Sequence, residues 1–287
     1  MKEKKHFWRD HVDIKYVKGK KRVVTVYLVL RILVILTMIA QLLNRNYENV
    51  YICVLTLVLF LMPSFVEKKL HIDLPDTLEI IILFFIFAAE ILGEIQEYYL
   101  IIPFWDTVLH SINGFLFAAI GFSIVNILNE DKRTSMSLSP FYMAVTAFCF
   151  SMTIGGLWEF FEWAMDSWFG LDMQKDTIVT AFNSVNLDPG GHNIAFHVRN
   201  VADAIIVYAD GTQQPIGQGG YLDIGLLDTM KDLAVNFVGA VVFSVIGYFY
   251  VKQKGKGSFA ARFIPRVLRR ADADGGRDGA DGAGKQI

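Results

Sequence analysis

Charged residues make up 20% of this 287-residue chain, and they are almost missing from its long middle stretches. Hydrophobic residues reach 53%, more than a soluble chain of this length usually carries. Cysteine is equally scarce: Cys53 and Cys149 both lie inside apolar runs. That argues against a disulfide framework, their spacing offers no metal motif, and both read as small buried hydrophobes. The chain also lacks a P-loop, a dinucleotide-binding glycine fingerprint, an H-E-x-x-H helix and a G-x-S-x-G elbow. The nucleotide, zinc-protease and serine-hydrolase chemistries those motifs carry are therefore not written here. Gly217, Gly219 and Gly220 are not framed by a strand and a helix and read as a flexible turn. Nothing points to nucleic-acid binding.

What is present is length of apolar sequence. A helix needs about 20 mostly apolar residues to cross the ~30 Å hydrocarbon core of a bilayer. Six segments meet this, at residues 23–43, 50–66, 78–95, 107–128, 141–163 and 233–251. Pro63 sits near the end of the second, where a helix can stop. The first follows a basic segment without a convincing small-x-small cleavage site, so it reads as a retained helix and not a removed signal. The fold class this predicts is all-α: a polytopic transmembrane helical bundle of about six helices.

Net charge is −2, but its distribution says more than its sum. Basic residues crowd 1–22, the cytoplasmic N-terminal segment. They recur at Lys68 and Lys69, at Lys132 and Arg133, and through 252–270. The alternate connectors hold only Arg45, Lys175 and Arg199. Every basic cluster falls on one side, which predicts both termini in the cytoplasm of a cell that carries the chain in its plasma membrane. Residues 252–270 form a basic juxtamembrane segment. Within it, Arg262 to Arg270, with Phe259, Phe263, Ile264, Val267 and Leu268 interleaved, reads either as an amphipathic helix on the anionic inner leaflet or as a solvated flank. The Gly/Asp/Ala-rich stretch 271–287 has nothing to bury and is expected to be disordered.

Within the transmembrane domain, 23–251, one connector is long. Residues 166–225 form an outer loop with strand-like stretches at 196–201 and 204–208. The turn signal Ala209, Asp210, Gly211 precedes a further stretch at 212–216. This predicts a small extracytoplasmic β-hairpin. Asp188, Pro189, Gly190 and Gly191 read as a tight turn. His192 and His197 read as exposed loop histidines, not ligands.

Ionisable side chains inside a spanning helix cost roughly 2.5–3.5 kcal/mol each at its centre. Here they recur at helical spacing. Glu90 and Glu94 fall in the third segment with Glu97 just past it, and Asp106 and His110 stand at the start of the fourth. Glu159 and Glu162 close the fifth with Asp166 just past it, and Asp228 and Asp232 lead into the sixth, which carries the polar Asn236. Spacings of three, four and seven put each set on one helical stripe. Alternating direction puts all four stripes in the outer part of the membrane, where turning toward one another avoids lipid. So many carboxylates need protons, partners such as Lys231 and His110, or a bound cation. Oxygen donors suit Mg²⁺, Ca²⁺ or Mn²⁺, and one histidine admits Zn²⁺. The candidate metal ligands are His110, Glu90, Glu94, Glu159 and Asp232. The candidate catalytic groups are Asp106, His110, Glu159, Glu162, Asp228 and Asp232. The competing reading is that these groups cap helix ends at the water interface, which suits Asp106 and Asp228. Trp105, Trp158, Trp163, Trp168, Tyr98 and Tyr99 surround the same level as an aromatic belt. Gly114, Gly155, Gly156 and Gly239 permit close helix contact.

The run Pro103, Trp105, Asp106, Leu109, His110 and Gly114 resembles the P-x-W-D-x-x-L-H-x-x-x-G signature of the YjdF-like, or DUF2238, family of uncharacterised bacterial membrane proteins. Trp158, Glu159, Glu162, Trp163 and Asp166 are similar to a second motif of that family, and Asp228, Lys231, Asp232, Asn236, Gly239 and Ala240 to a third. The likeness covers roughly 78–251, and the 166–225 loop looks like an insertion. It implies a polytopic fold in the plasma membrane and brings no established activity. Three functions compete on the residues: a divalent-cation enzyme acting on a lipid or lipid-linked substrate, an ion- or proton-coupled transporter, and a non-catalytic scaffold or sensor. The partners common to them are the bilayer and a lipid or ion ligand.

Overall fold

The computed structural model describes residues 20–70, 72–130, 137–253, 255 and 259–267. The basic stretch before Lys20, the pair Lys132 and Arg133, and the 271–287 tail lie outside the described residues. Among the described residues, five helices are long and apolar enough to cross a membrane: Lys21–Leu43, Tyr47–Lys69, Trp105–Asn129, Pro140–Phe169 and Leu226–Lys252. They match five of the six predicted spans, and the fold is all-α and multi-pass. The other predicted span is helical over its whole length but not uniformly α.

The helices are α1 Lys21–Leu43, α2 Tyr47–Leu59, α3 Met62–Leu70 and α4 Asp76–Phe87. After a π-helical segment, Ala88–Ile95, come α5 Trp105–Glu130, α6 Pro140–Phe169 and α7 Leu226–Lys252. Local chemistry sets several ends. The Asn46 side chain accepts from the Asn49 N–H and starts α2, while Pro63 falls in the first turn of α3, where its missing N–H costs nothing. Pro140 opens α6 in the same way, with Ser139 Oγ capping Tyr142 at 3.2 Å. Gly170, at φ +67°, ends α6 in a left-handed turn that a Cβ would strain.

The chain divides into two compact units. In the first, α1, α2, α4 and the π segment share a core in which Val34, Cys53, Phe60 and Leu83 are fully buried. At one end of α1, Lys20 Nζ donates to Glu67 Oε1 at 2.8 Å, Glu79 Oε2 at 3.0 Å and the Leu74 carbonyl at 2.7 Å, with Asp73 Oδ1 at 3.1 Å. β1 (Ile72–Asp73) pairs antiparallel with Arg266–Val267. Over the described residues 259–267, that pairing, with a 3₁₀ turn at Ala260–Arg262 and buried Phe263 and Ile264, stands in place of an amphipathic helix; the remainder of that reading, 268–270, lies outside the described residues. The short apolar run is used up by docking against its own unit. Cys149 is also not the buried hydrophobe expected: it is exposed, whereas Cys53 is buried.

The second unit holds residues 99–121 and 144–246. Here α5 and α7 run parallel and touch through backbone. A Cβ on Gly114 would collide with the Asn236 carbonyl, and one on Gly239 with the Ser111 carbonyl. Ser151 Oγ on α6 donates to the Gly114 carbonyl at 2.7 Å. Edge-to-face pairs Phe115–Phe243 and Phe148–Phe237, with centroids at 5.1 and 5.3 Å, continue the packing. Lipid tails are as apolar as these side chains, so close contact and hydrogen bonds hold the helices, not removal of apolar surface from water.

The long connector carries three antiparallel pairs. β2 (Ile178–Val179) pairs with β7 (Tyr221–Leu222), and β3 (Phe182–Ser184) with β4 (Phe196–Val198). β5 (Ile205–Val207) pairs with β6 (Gln213–Pro215) as the predicted hairpin, closed at Ala209, Asp210 and Gly211. The Asp188 turn also forms, its carboxylate accepting from Gly190 and His192 N–H at 3.0 and 2.7 Å.

Candidate functional site

The close crossing at Gly114 and Gly239 fixes what sits next to it. One turn before Gly114 is His110, and one turn before Asn236 is Asp232. Helices that touch through backbone at one turn cannot be far apart at the next, so these two side chains meet. His110 Nε2 lies 4.0 Å from Asp232 Oδ2 and 3.4 Å from Asp106 Oδ1. Its other nitrogen, Nδ1, lies 3.9 Å from Glu159 Oε1, brought by α6. His110 is five residues into α5, roughly 8 Å along its axis, so the group sits inside the helical stack and not at its rim.

Lys231 completes the arrangement. Its Nζ is 3.3 Å from Asp228 Oδ1, 3.8 Å from Asp232 Oδ1 and 3.9 Å from Asp106 Oδ2. Asp106 and Asp232 therefore each turn one oxygen to His110 and the other to Lys231. Burial grades across the group: the Asp232 side chain is 2% exposed, that of Glu159 6%, that of Asp106 27% and that of Lys231 44%. Glu159 Oε2, Asp232 Oδ1 and Asn236 Oδ1 are buried yet accept no hydrogen bond among the described residues. Such oxygens are costly where nothing completes them.

One nitrogen of His110 and one oxygen each of Asp106 and Asp232 lie within 4.8 Å of one another. Two donors on one ion at bonds of about 2.3–2.5 Å are at most roughly 5 Å apart. The spread therefore matches a site that can close on a divalent cation. At 3.4–4.0 Å from these carboxylates His110 makes no close hydrogen bond to them, whereas the Asp106 and Asp232 side chains lie close enough to share one. A set of two carboxylates and one imidazole, with a third carboxylate at its edge, suits Mn²⁺, Mg²⁺, Ca²⁺ or Zn²⁺.

Of the sequence candidates, Asp106, His110, Glu159 and Asp232 are thus together, and Asp228 joins through Lys231. Glu162 is buried one turn from Glu159, where Trp158 Nε1 donates to its Oε1 at 2.8 Å. Glu90 and Glu94 belong to the first unit, in the π segment. Gln96 N–H bonds the Ile91 carbonyl five residues back, so the α spacing that put Glu90, Glu94 and Glu97 on one stripe does not hold there. Glu97 has left the helix at φ 57°.

Two supporting contacts have no local signal in the sequence. Gln174 Nε2 donates to Thr229 Oγ1 at 2.5 Å across 55 positions, and Asp166 accepts from the Met173 and Gln174 N–H groups at 2.6 and 2.9 Å. Together they tie the exit of α6 to the entry of α7. The Trp158–Glu162 bond could have been read from its i, i+4 spacing. In the adjoining connector, burial and the nearby carboxylates of Asp172, Asp223 and Asp166 hold the Asp176 carboxyl above its usual range.

A family model described as Predicted membrane protein (DUF2238) matches residues 25–183. No curated protein and no solved structure matches the chain.

Proposed function

The chain belongs to the DUF2238 family of predicted membrane proteins, and from that premise we propose that it binds a divalent cation at His110, Asp106 and Asp232 and uses it on a lipid-linked substrate. The observation that carries the reading is the convergence of three ligand-type atoms within 4.8 Å of one another. Two of the side chains that bring them are nine-tenths buried or more. Asp106, His110 and Asp232 would hold the ion, which would supply Lewis-acid chemistry toward a substrate oxygen or a water. Glu159, beside His110 Nδ1, orients the imidazole as a ligand or takes up a proton. A lipid-borne substrate fits a site inside the helices whose most open members are Asp106 and Lys231.

Transport is the weaker reading. Residues 111–129 of α5, 140–158 of α6 and 233–251 of α7 carry no Asp, Glu, Lys, Arg or His. A carrier needs a route past those stretches, and no ladder of ionisable groups supplies one. The basic residues on one set of connectors support a placement with both termini in the cytoplasm and the site in the outer half of the cell membrane.

Vesicles prepared right-side-out and inside-out, given Mn²⁺ or the impermeant chelator EDTA, test both parts by mass spectrometry of extracted lipids. The expected result is a lipid-linked species consumed with Mn²⁺, spared when EDTA is added outside right-side-out vesicles, and spared in Asp232→Asn. Identical lipid profiles in wild type and variant contradict the enzymatic reading. Protection by EDTA only in inside-out vesicles contradicts the orientation.

A further inference from the structure

We infer that Lys231 is a built-in counter-ion that occupies the carboxylates of the cation site and must be displaced for a divalent ion to load; this rests on the cation-binding reading above. Asp106 and Asp232 use one oxygen each toward His110 Nε2, at 3.4 and 4.0 Å. Their second oxygens face Lys231 Nζ at 3.9 and 3.8 Å. The ammonium and the imidazole therefore flank the same pair of carboxylates. Asp228 holds the ammonium there at 3.3 Å.

The two occupants compete on simple electrostatic grounds. An ion held by Asp106, His110 and Asp232 would face the same two carboxylates that Lys231 now faces. Its double charge would repel an ammonium a few ångströms away, screened less there than in bulk water because Asp232 beneath it is buried. Lys231 can yield because it is the most open member of the group at 44% exposure, on a flexible four-carbon stem. Asp232 cannot: its side chain is 2% exposed and its Oδ1 accepts no hydrogen bond among the described residues. The carboxylates are fixed and the cation over them is exchangeable.

The consequence is selectivity by charge. A monovalent ion offers the carboxylates no more than the tethered ammonium does and gains nothing by replacing it. A divalent ion gains twice the attraction and displaces it. Lys231 also holds the acidic pair together in the cation-free protein, so Asp106 and Asp232 do not spread apart before loading. Asp228, one turn along α7, gives the displaced ammonium a partner to rest against.

The test is a Mn²⁺ titration of the full-length protein in lipid nanodiscs, read by the loss of the free-ion paramagnetic resonance signal. Wild type, Lys231→Gln, Lys231→Arg and Asp232→Asn are compared. The expected result is one saturable site in wild type, at least about tenfold tighter binding in Lys231→Gln, unchanged affinity in Lys231→Arg, and no site in Asp232→Asn. Equal or weaker binding in Lys231→Gln, with the wild-type site present, overturns the counter-ion role and leaves the cation reading standing. Tightening in Lys231→Arg as large as in Lys231→Gln also overturns it, because charge would then not be the cause. Absence of a saturable site in both wild type and Lys231→Gln overturns the cation reading and this inference with it.

Discussion

Among the described residues, Lys20 Nζ has oxygen neighbours from Glu67, Asp73, Leu74 and Glu79 at 2.7–3.1 Å. The Lys20 and Glu67 side chains are 10% and 8% exposed, so the ion pair is drawn from water and removing the ammonium takes a buried counter-charge from Glu67 and Glu79. Lys20→Met is expected to destabilise the first unit by about 3–5 kcal/mol, read as a lowered midpoint in detergent-titrated unfolding. An unchanged midpoint would mean the contacts are solvent-screened. At the same scale, the Asp188 carboxyl is held below its usual range by the N–H groups of Gly190 and then His192. A carboxyl with a depressed folded-state pKa adds stability that is present above its unfolded value, near 3.9, and lost as pH falls through the folded one. Protection of the Gly190 and His192 amides from hydrogen exchange should hold at pH 5–7 and fall only below about pH 4. Loss already at pH 5 would contradict the turn.

These residue-level features were unevenly legible. The Asp188 turn was plain, because Asp-Pro-Gly-Gly carries its own geometry. The Lys20 cluster was not. In sequence Lys20 is one of a run of basic residues, and its partners lie 47 and 59 positions away. Nothing local separates a lysine that will be buried from its solvated neighbours.

Elements were legible where they are long and periodic and obscure where they are short or depart from the α period. Five spans followed from length and hydropathy alone. The π segment did not, since Ala88–Ile95 reads as ordinary helix and its five-residue hydrogen bonding is set by packing. The β5–β6 hairpin was read from its turn, but β2 meets β7 across some forty positions with two residues each, too few to leave a pattern. Packing between α5, α6 and α7 also separates glycines that composition treats alike. A Cβ on Gly239 would strike the Ser111 carbonyl, whereas one on Gly156 would meet nothing within 4 Å. Gly239→Ala should therefore lower the unfolding midpoint by the equivalent of about 1–3 kcal/mol. Gly156→Ala should leave it unchanged or raise it by up to about 1 kcal/mol, because alanine favours a helix interior. A larger loss at Gly156 than at Gly239 would reverse the assigned contact face.

For the whole molecule, three of the polar stripes that helical spacing marks out in the sequence come together between α5, α6 and α7. Buried charge is expensive enough to be conspicuous, and helical spacing converts it into faces. What it could not disclose is distance. Asp106, His110 and Asp232 come within 4.8 Å because Gly114 and Gly239 let two parallel helices touch, and that depends on which glycines face the backbone of the other helix. Glu90 and Glu94 looked equivalent on paper but lie in a π-helical stretch of the first unit. The account therefore reduces to a single claim: one divalent ion held by α5 and α7. Its most direct test is the metal content of full-length protein purified in mild detergent with Mn²⁺, measured by mass spectrometry beside Asp232→Asn. The account predicts close to one Mn²⁺ per chain in wild type and none in the variant, with the variant still folded and no less stable than wild type stripped of metal, since only the loaded wild type gains from binding. Wild-type protein without metal, or equal metal in both, would contradict it.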